Sequence, residues 1–196
     1  MRKRILAPMA AVLLTATLGS AAPAKDPPEC VVAARWVSAH RGELPTTLRE
    51  ISRYPILYRR AIYDVLPPAQ RAALWREQLD GYLAPGQPYN DAQRAAIRDA
   101  IAQLPALTVA NPDRARADRV ANRLYAVIDR PTVRRMIGVL GPLPTPAERT
   151  ANAKRPLCDC ESDYDCGGFG TCTYSLCSFT SGCGPFMGYI CNGVCR

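Results

Sequence analysis

Residues 158–195 read CDCESDYDCGGFGTCTYSLCSFTSGCGPFMGYICNGVC and hold eight of the chain's nine cysteines. The preceding 157 residues hold only Cys30. A stretch this short buries too little apolar surface to fold by itself and normally depends on covalent cross-links, whereas a longer region folds by burial. The sequence therefore predicts two regions with different sources of stability, and we expect function to lie in the cysteine-rich one.

The N-terminus has the order of a secretory signal peptide. Three basic residues at positions 2–4 precede an apolar run of 14 residues, and Ala22-Pro23-Ala24 follows. The run is too short to span a bilayer, and A-x-A is typical of a signal-peptide cleavage site. We expect residues 1–24 to be removed and residues 25–196 to be secreted into the extracellular space or the periplasm.

An oxidising compartment favours disulfides over metal ligation for the tail cysteines. Their spacing lacks the paired C-x2-C of a zinc ribbon, and the tail contains no histidine. The predicted disulfide framework comprises Cys158, Cys160, Cys166, Cys172, Cys177, Cys183, Cys191 and Cys195. The sequence leaves the connectivity open. Cys30 is left over, and it either stays free and buried, which is the default, or bridges two molecules, or pairs into the tail.

Residues 25–141 carry apolar residues at helical spacing and no strand alternation. Asn90 is a predicted helix cap, and Asn111-Pro112-Asp113 predicts a second helix with Asn111 as cap, Pro112 at its first position and Asp113 in its first turn. Frequent prolines, among them Pro105, indicate short helices. We predict a mainly α fold: a small bundle of six or seven short helices, followed by a small disulfide-rich module over residues 157–196.

Residues 142–156 are rich in proline and small polar residues, which is typical of a linker. The basic pair Lys154-Arg155 lies just before the first tail cysteine and is a candidate processing site, because exposed linkers are where proteases cut. Cleavage there would release the tail as a peptide. A plain tether with two solvated charges is the alternative.

The tail contains four acidic residues at alternate positions: Asp159, Glu161, Asp163 and Asp165. Carboxylates spaced in this way are weak candidates for calcium ligands. Tyr164 occupies the position at which an EF-hand loop needs glycine. A solvated acidic loop is therefore the favoured interpretation, and we predict no metal and no cofactor.

Five apolar residues of the tail are candidate membrane or partner contacts: Phe179, Phe186, Met187, Tyr189 and Ile190. A cross-linked loop has little interior of its own, and exposed apolar surface usually contacts a partner or a membrane. The alternative is that these side chains pack against one another or against the helices.

Composition argues against catalysis and nucleic-acid binding. His40 is the only histidine, and no serine-hydrolase, zinc-protease or phosphate-loop motif occurs. The formal charge of the full chain is +8, but its arginines are scattered along helical patterns, and no cluster of basic and aromatic residues resembles a nucleic-acid module. The tail carries one arginine and four acids, a net of −3, which weighs against attraction to anionic lipid. We expect a protein that is not an enzyme and binds no nucleic acid.

Two groups of residues carry a family resemblance. In the helical region they are Tyr54-Pro55, Tyr58-Arg59-Arg60-Ala61-Ile62-Tyr63, Leu66-Pro67, Arg71, Leu74-Trp75, Gln78-Leu79, Tyr82-Leu83 and Gln93. In the tail they are Asp165-Cys166, Cys172, Ser181-Gly182-Cys183-Gly184 and Cys191-x-Gly193-x-Cys195. In these residues the chain resembles the bacteriocin fulvocin C-related proteins, which are secreted bacterial proteins. The resemblance implies a precursor-like protein whose eight-cysteine module acts on the cell envelope, and it implies no catalytic residues.

We therefore expect a secreted, bacteriocin-like antimicrobial protein whose partner is the envelope or membrane surface of competing bacteria. The alternative is a secreted binding module that presents a disulfide-held loop to an envelope polymer, a receptor or a protease. An intact tether, with the tail packed tightly on the helices, would favour the binding module. The oligomeric state is left open.

Overall fold

The computed structural model describes residues 29–143, 157–158 and 172–195, with side chains over 29–143 and 179–193. These ranges contain seven α-helices and a small sheet, which confirms the mainly α fold. The helices are α1 (Glu29–Ala39), α2 (Leu48–Ile51), α3 (Ile56–Val65), α4 (Pro68–Leu83), α5 (Asp91–Leu107), α6 (Arg114–Tyr125) and α7 (Arg130–Ile137). The strands are β1 (Leu157–Cys158), β2 (Cys172–Cys183) and β3 (Tyr189–Cys195), and a 3-10 turn spans Pro185–Met187. The predicted linker and the signal peptide lie outside the described residues, apart from positions 142–143.

Side-chain caps fix where several helices begin. The Asn90 side chain accepts from the backbone N–H of Gln93, and the Gln93 side chain accepts from the N–H of Asn90, both at 3.0 Å. This reciprocal capping satisfies two donors that the first turn of a helix leaves without partners. Asp129 caps α7 in a similar way by accepting from Thr132. The Asn90 cap is therefore confirmed.

Two helix boundaries differ from the sequence prediction. Helix α5 continues past Pro105 to Leu107, because a proline in the last turn removes one hydrogen bond without breaking the earlier ones. Thr108 closes this end by donating from its hydroxyl to the Leu104 carbonyl at 2.9 Å. Helix α6 begins at Arg114, so Asp113 and not Asn111 is its N-cap. Pro112 is instead placed beside Gly188 of the tail.

The tail contains a three-stranded antiparallel sheet in the order β1-β3-β2. Strands β2 and β3 form a hairpin in which Phe179 pairs with Cys191 and Cys183 pairs with Tyr189. The register shifts on either side of Phe179. Irregular pairing of this kind explains why the tail lacks the clean alternation from which strands are predicted.

Helices and hairpin share one apolar core. Its members from the helices include Ile62, Trp75 and Leu104, all with no exposed surface. Residues of the hairpin belong to the same cluster of contacts, among them Phe179, Cys183, Phe186, Met187, Tyr189 and Cys191. The described part of the hairpin is therefore packed on the helices.

Candidate functional site

The hairpin tip, residues 183–191, connects β2 to β3 through the 3-10 turn. A disulfide between Cys183 and Cys191 closes its base. Gly184 has φ +68, and a Cβ at this position would run into the Tyr189 ring, so only glycine fits. Phe186 and Met187 also have left-handed backbone, with φ of 57° and 51°. Two bulky residues in this region of backbone space are held there by surrounding contacts at a cost of about 1–2 kcal/mol each.

Phe186 of the tip is inserted against the helices. Its side chain has no exposed surface and packs edge-on against Trp75, with ring centroids 5.6 Å apart. Its backbone carbonyl accepts from the Tyr63 hydroxyl at 2.9 Å and from Trp75 Nε1 at 3.0 Å. Burial raises the pKa of Tyr63 far above its usual value, so this hydroxyl remains a hydrogen-bond donor. Tyr63 and Trp75 therefore recognise both the ring and the backbone of Phe186.

Asp64 holds the strand that leads into the tip. Its Oδ1 accepts from the Thr180 hydroxyl at 2.6 Å, from the Ser181 N–H at 2.6 Å and from the Ser181 hydroxyl at 3.0 Å. Arg71 fixes the end of α3 by donating to the carbonyls of Asp64 and Leu66, and it stacks over the Tyr63 ring. Three donors on one carboxylate oxygen attach β2 firmly to the C-terminal end of α3.

Tyr189 attaches the returning strand to α6. Its hydroxyl donates to Asp118 Oδ1 at 2.6 Å, and the Arg114 guanidinium lies over its ring at 4.9 Å. Asp118 and Arg114 are four residues apart, so they lie on one face of the helix. Gly188 lies close to Pro112, and a Cβ at this position would be 3.1 Å from the Pro112 ring, which is a tight contact.

Cys30 in α1 is buried and disulfide-bonded. Cys183 and Cys191 pair with each other, and every other cysteine of the chain lies at or beyond Cys158. The Cys30 bond therefore joins α1 to the C-terminal segment. The default expectation that Cys30 stays free is wrong, and the alternative that it pairs into the tail holds.

Four of the five apolar candidates are buried, which corrects the expectation that they are exposed contacts, whereas the fifth is exposed. Phe179, Phe186, Met187 and Tyr189 are at most 5% exposed, whereas Ile190 is 40% exposed. The reason is that the helices supply the apolar partners that the tail itself lacks. The processing pair Lys154-Arg155 and the weak calcium candidates 159–165 lie outside the described residues, as do the side chains of the remaining framework cysteines.

Sequence reasoning missed the residues that receive the hairpin, namely Tyr63, Asp64, Trp75, Arg114 and Asp118. Tyr63 and Trp75 lie in the segment that carries the family resemblance, which was the one available signal. Asp64 and Asp118 gave no signal in the sequence, because their hydrogen-bond partners are 71 to 117 positions away.

A second feature of the surface is a groove of 370 Å³ beside α2. It is lined by Glu43, Leu44, Pro45, Thr46, Glu50, Arg53 and Tyr54. Behind it, Trp36 contacts Tyr54 and stacks on His40, whose Nδ1 lies 2.8 Å from the Trp36 carbonyl. The only histidine is thus placed in an aromatic cluster at the end of α1. A hydrogen bond from the Thr47 side chain, and then the backbone N–H groups of Thr46 and Thr47, lower the pKa of Glu50 at the groove.

Within the described residues, no group of three or more histidine, cysteine or acidic side chains is arranged to hold a metal ion. In that same part of the chain, the helices are too short or too polar to cross a bilayer. The chain matches no family model, no curated protein and no solved structure with which it was compared.

Proposed function

We propose that the chain is an exported, non-enzymatic, bacteriocin-like protein whose C-terminal hairpin acts on the envelope of competing bacteria. In the intact chain the helices hold this hairpin in a latent form. The observation that carries the proposal is the burial of Phe186 and Met187 against the helices. A hairpin freed from the helices would expose them, and exposed apolar surface of this kind enters lipid interfaces.

Several contacts support the proposal that the helices hold the hairpin in a latent conformation. The two left-handed residues at the tip adopt costly backbone that the Tyr63 and Trp75 donors hold in place. Separation from the helices removes both donors, so the tip is free to relax to another conformation. The resemblance to the fulvocin C-related proteins supports the same division into a carrier region and an active tail.

The Cys30 bond adds a condition for release. Cleavage at Lys154-Arg155 cuts the backbone between the two regions but leaves α1 joined to the tail by sulfur. Release then requires thiol–disulfide exchange with an external thiol as well as proteolysis. Cleavage of the linker alone therefore leaves the hairpin attached to α1 and latent.

Growth inhibition with controlled release tests the proposal. A site for a sequence-specific protease is inserted before Lys154, both in the natural chain and in a Cys30→Ala variant. We expect the cut Cys30→Ala protein to inhibit related bacteria, and the uncut variant and the cut natural chain to be inactive. No inhibition by a separated hairpin with an intact Cys183–Cys191 bond would overturn the proposal.

The same packing favours a second candidate, a binding module that works intact. A hairpin fixed on the helices at Asp64, Trp75 and Tyr189 presents Ile190 on a rigid support. Retention of the uncut protein on isolated bacterial envelopes, with loss of retention in an Ile190→Asp variant, would favour this candidate. Inhibition only after release would exclude it.

A further inference from the structure

Positive charge is concentrated in helices α6 and α7. Residues 114–137 contain seven arginines and two aspartates, a net charge of +5. Residues 29–113 contain ten arginines and nine acidic residues, a net of only +1. The basic character of the described helices therefore comes almost entirely from one short segment.

The arginines of α6 form a stripe. Arg116, Arg119 and Arg123 are spaced by three and four residues, which places them on one face of the helix, and all three are exposed. Arg119 and Arg123 have acidic neighbours, Asp113 at 3.7 Å and Asp99 at 3.0 Å. Exposed ion pairs of this kind are weak, so these arginines remain able to exchange the carboxylates for another anion.

Helix α7, which follows α6 along the chain, carries three further arginines. Arg130, Arg134 and Arg135 are exposed, and Arg130 stacks over Tyr125 at the end of α6. Val127, in the connection between the two helices, is 37% exposed. We refer to Arg116, Arg119, Arg123, Arg130, Arg134, Arg135 and Val127 as the arginine face.

The two acids of this segment are already engaged in the fold. Asp118 accepts from Tyr189 of the hairpin, and Asp129 caps α7. Since a helix turns by about 100° per residue, Asp118 and the arginine stripe lie on different sides of α6. The hairpin therefore leaves the arginine face uncovered, and the hairpin does not need to move for that face to be used.

We propose that the arginine face binds the surface of a bilayer that contains anionic phospholipid. Its six guanidinium groups spread over two helices, which fits a broad array of phosphates better than a single small anion. Guanidinium pairs with phosphate through two parallel hydrogen bonds, and Val127 adds an exposed apolar side chain between the two helices. This inference goes beyond the proposed function, because it assigns surface recognition to the helices whether or not the hairpin kills.

The assignment also accounts for the charge of the tail. A net charge of −3 on the C-terminal segment opposes its approach to anionic lipid, whereas the helices that carry it bring the opposite sign. The carrier region would bring the complete protein to the target surface.

Vesicle co-sedimentation of the full, uncut chain tests the proposal without any growth assay. The vesicles are phosphatidylcholine with or without phosphatidylglycerol, at low and at high salt. The test variant replaces Arg116, Arg119 and Arg123 with glutamine. The control replaces Arg35, Arg41 and Arg53, which are also exposed, and changes the net charge equally.

We expect binding only to the anionic vesicles, weakened by salt. The test variant should lose roughly 100-fold in affinity, since each basic residue at an anionic surface contributes about fivefold, and the control much less. Circular dichroism checks that both variants keep their helices. Inorganic phosphate should compete no better than chloride of equal ionic strength.

Equal loss in the two variants would show that only net charge matters, and it would overturn the assignment to α6 and α7. Absence of vesicle binding would also overturn it, including the case in which the protein is retained only by an anionic polymer. Strong competition by phosphate would show that the arginine face binds a small anion and not a bilayer.

Discussion

Helix α5 and the hairpin tip obtain their stability in opposite ways. Helix α5 begins at a reciprocal cap between Asn90 and Gln93 and buries a stripe at regular spacing, so its shape follows from neighbours in the sequence. The tip has left-handed backbone at Phe186 and Met187 and is held by donors more than 100 positions away. The contrast teaches that the tip is not self-sufficient: the Cys183–Cys191 disulfide closes its base, but its buried side chains pack on the helices.

The largest effect should come from the covalent tie between the regions. If the linker is cut at an inserted protease site, the two fragments should stay together on a denaturing gel without reductant. They should separate fully when a thiol is added. The fragments of a Cys30→Ala variant should separate with or without reductant. Separation of the natural fragments without reductant would show that no disulfide joins α1 to the tail.

Removal of the inserted ring should have the next largest effect. Phe186→Ala leaves a cavity beside Trp75 and should lower the free energy of unfolding by about 3–5 kcal/mol in urea titrations. Ile190→Ala, in the same hairpin but exposed, should change it by no more than about 0.5 kcal/mol. Similar values for the two variants would mean that the tip is not docked.

The attachment of β2 at α3 should be weaker but measurable. Asp64→Ala leaves the Ser181 N–H and hydroxyl without their acceptor and should cost about 1–3 kcal/mol. Hydrogen exchange at Ser181 should accelerate. Asp80→Ala, an exposed acid on α4, serves as the control and should leave exchange in the hairpin unchanged.

Alkaline pH should loosen the contact at Tyr63. Burial raises the folded-state pKa of Tyr63 above the ordinary value of 10.0, so above that pH the unfolded chain loses a proton that the folded chain retains. The contribution of this group is therefore constant below about pH 10, and stability falls above it by about 1.4 kcal/mol per pH unit. A Tyr63→Phe variant should show a shallower fall between pH 10 and 11, and equal slopes would contradict the burial.

The smallest effect should be confined to the helices. Asn90→Ala removes the cap of α5 and should cost about 1 kcal/mol, without faster hydrogen exchange at the hairpin tip. Faster exchange at the tip would show that the two regions are coupled more tightly than their contacts indicate.

Prediction from sequence succeeded where the determinants are local. Helical spacing and the Asn90 cap depend on residues three or four positions apart, and they gave the helical class correctly. Pro105 and the Asn111-Pro112-Asp113 start were misplaced, because the cost of a proline depends on its position within the helix and Pro112 packs beside the tail. The hairpin strands escaped prediction because their pairing is irregular around Phe179.

The amino-acid sequence by itself determined the helices and the separation of a cysteine-rich tail. These are properties of composition and short-range spacing. Only the tertiary structure decided that Phe186 is buried on Trp75, that Cys30 bonds into the tail, and that the arginine face stays uncovered. Each of these depends on which distant surfaces meet, and apolar attraction is not directional enough for the sequence pattern to specify the partner.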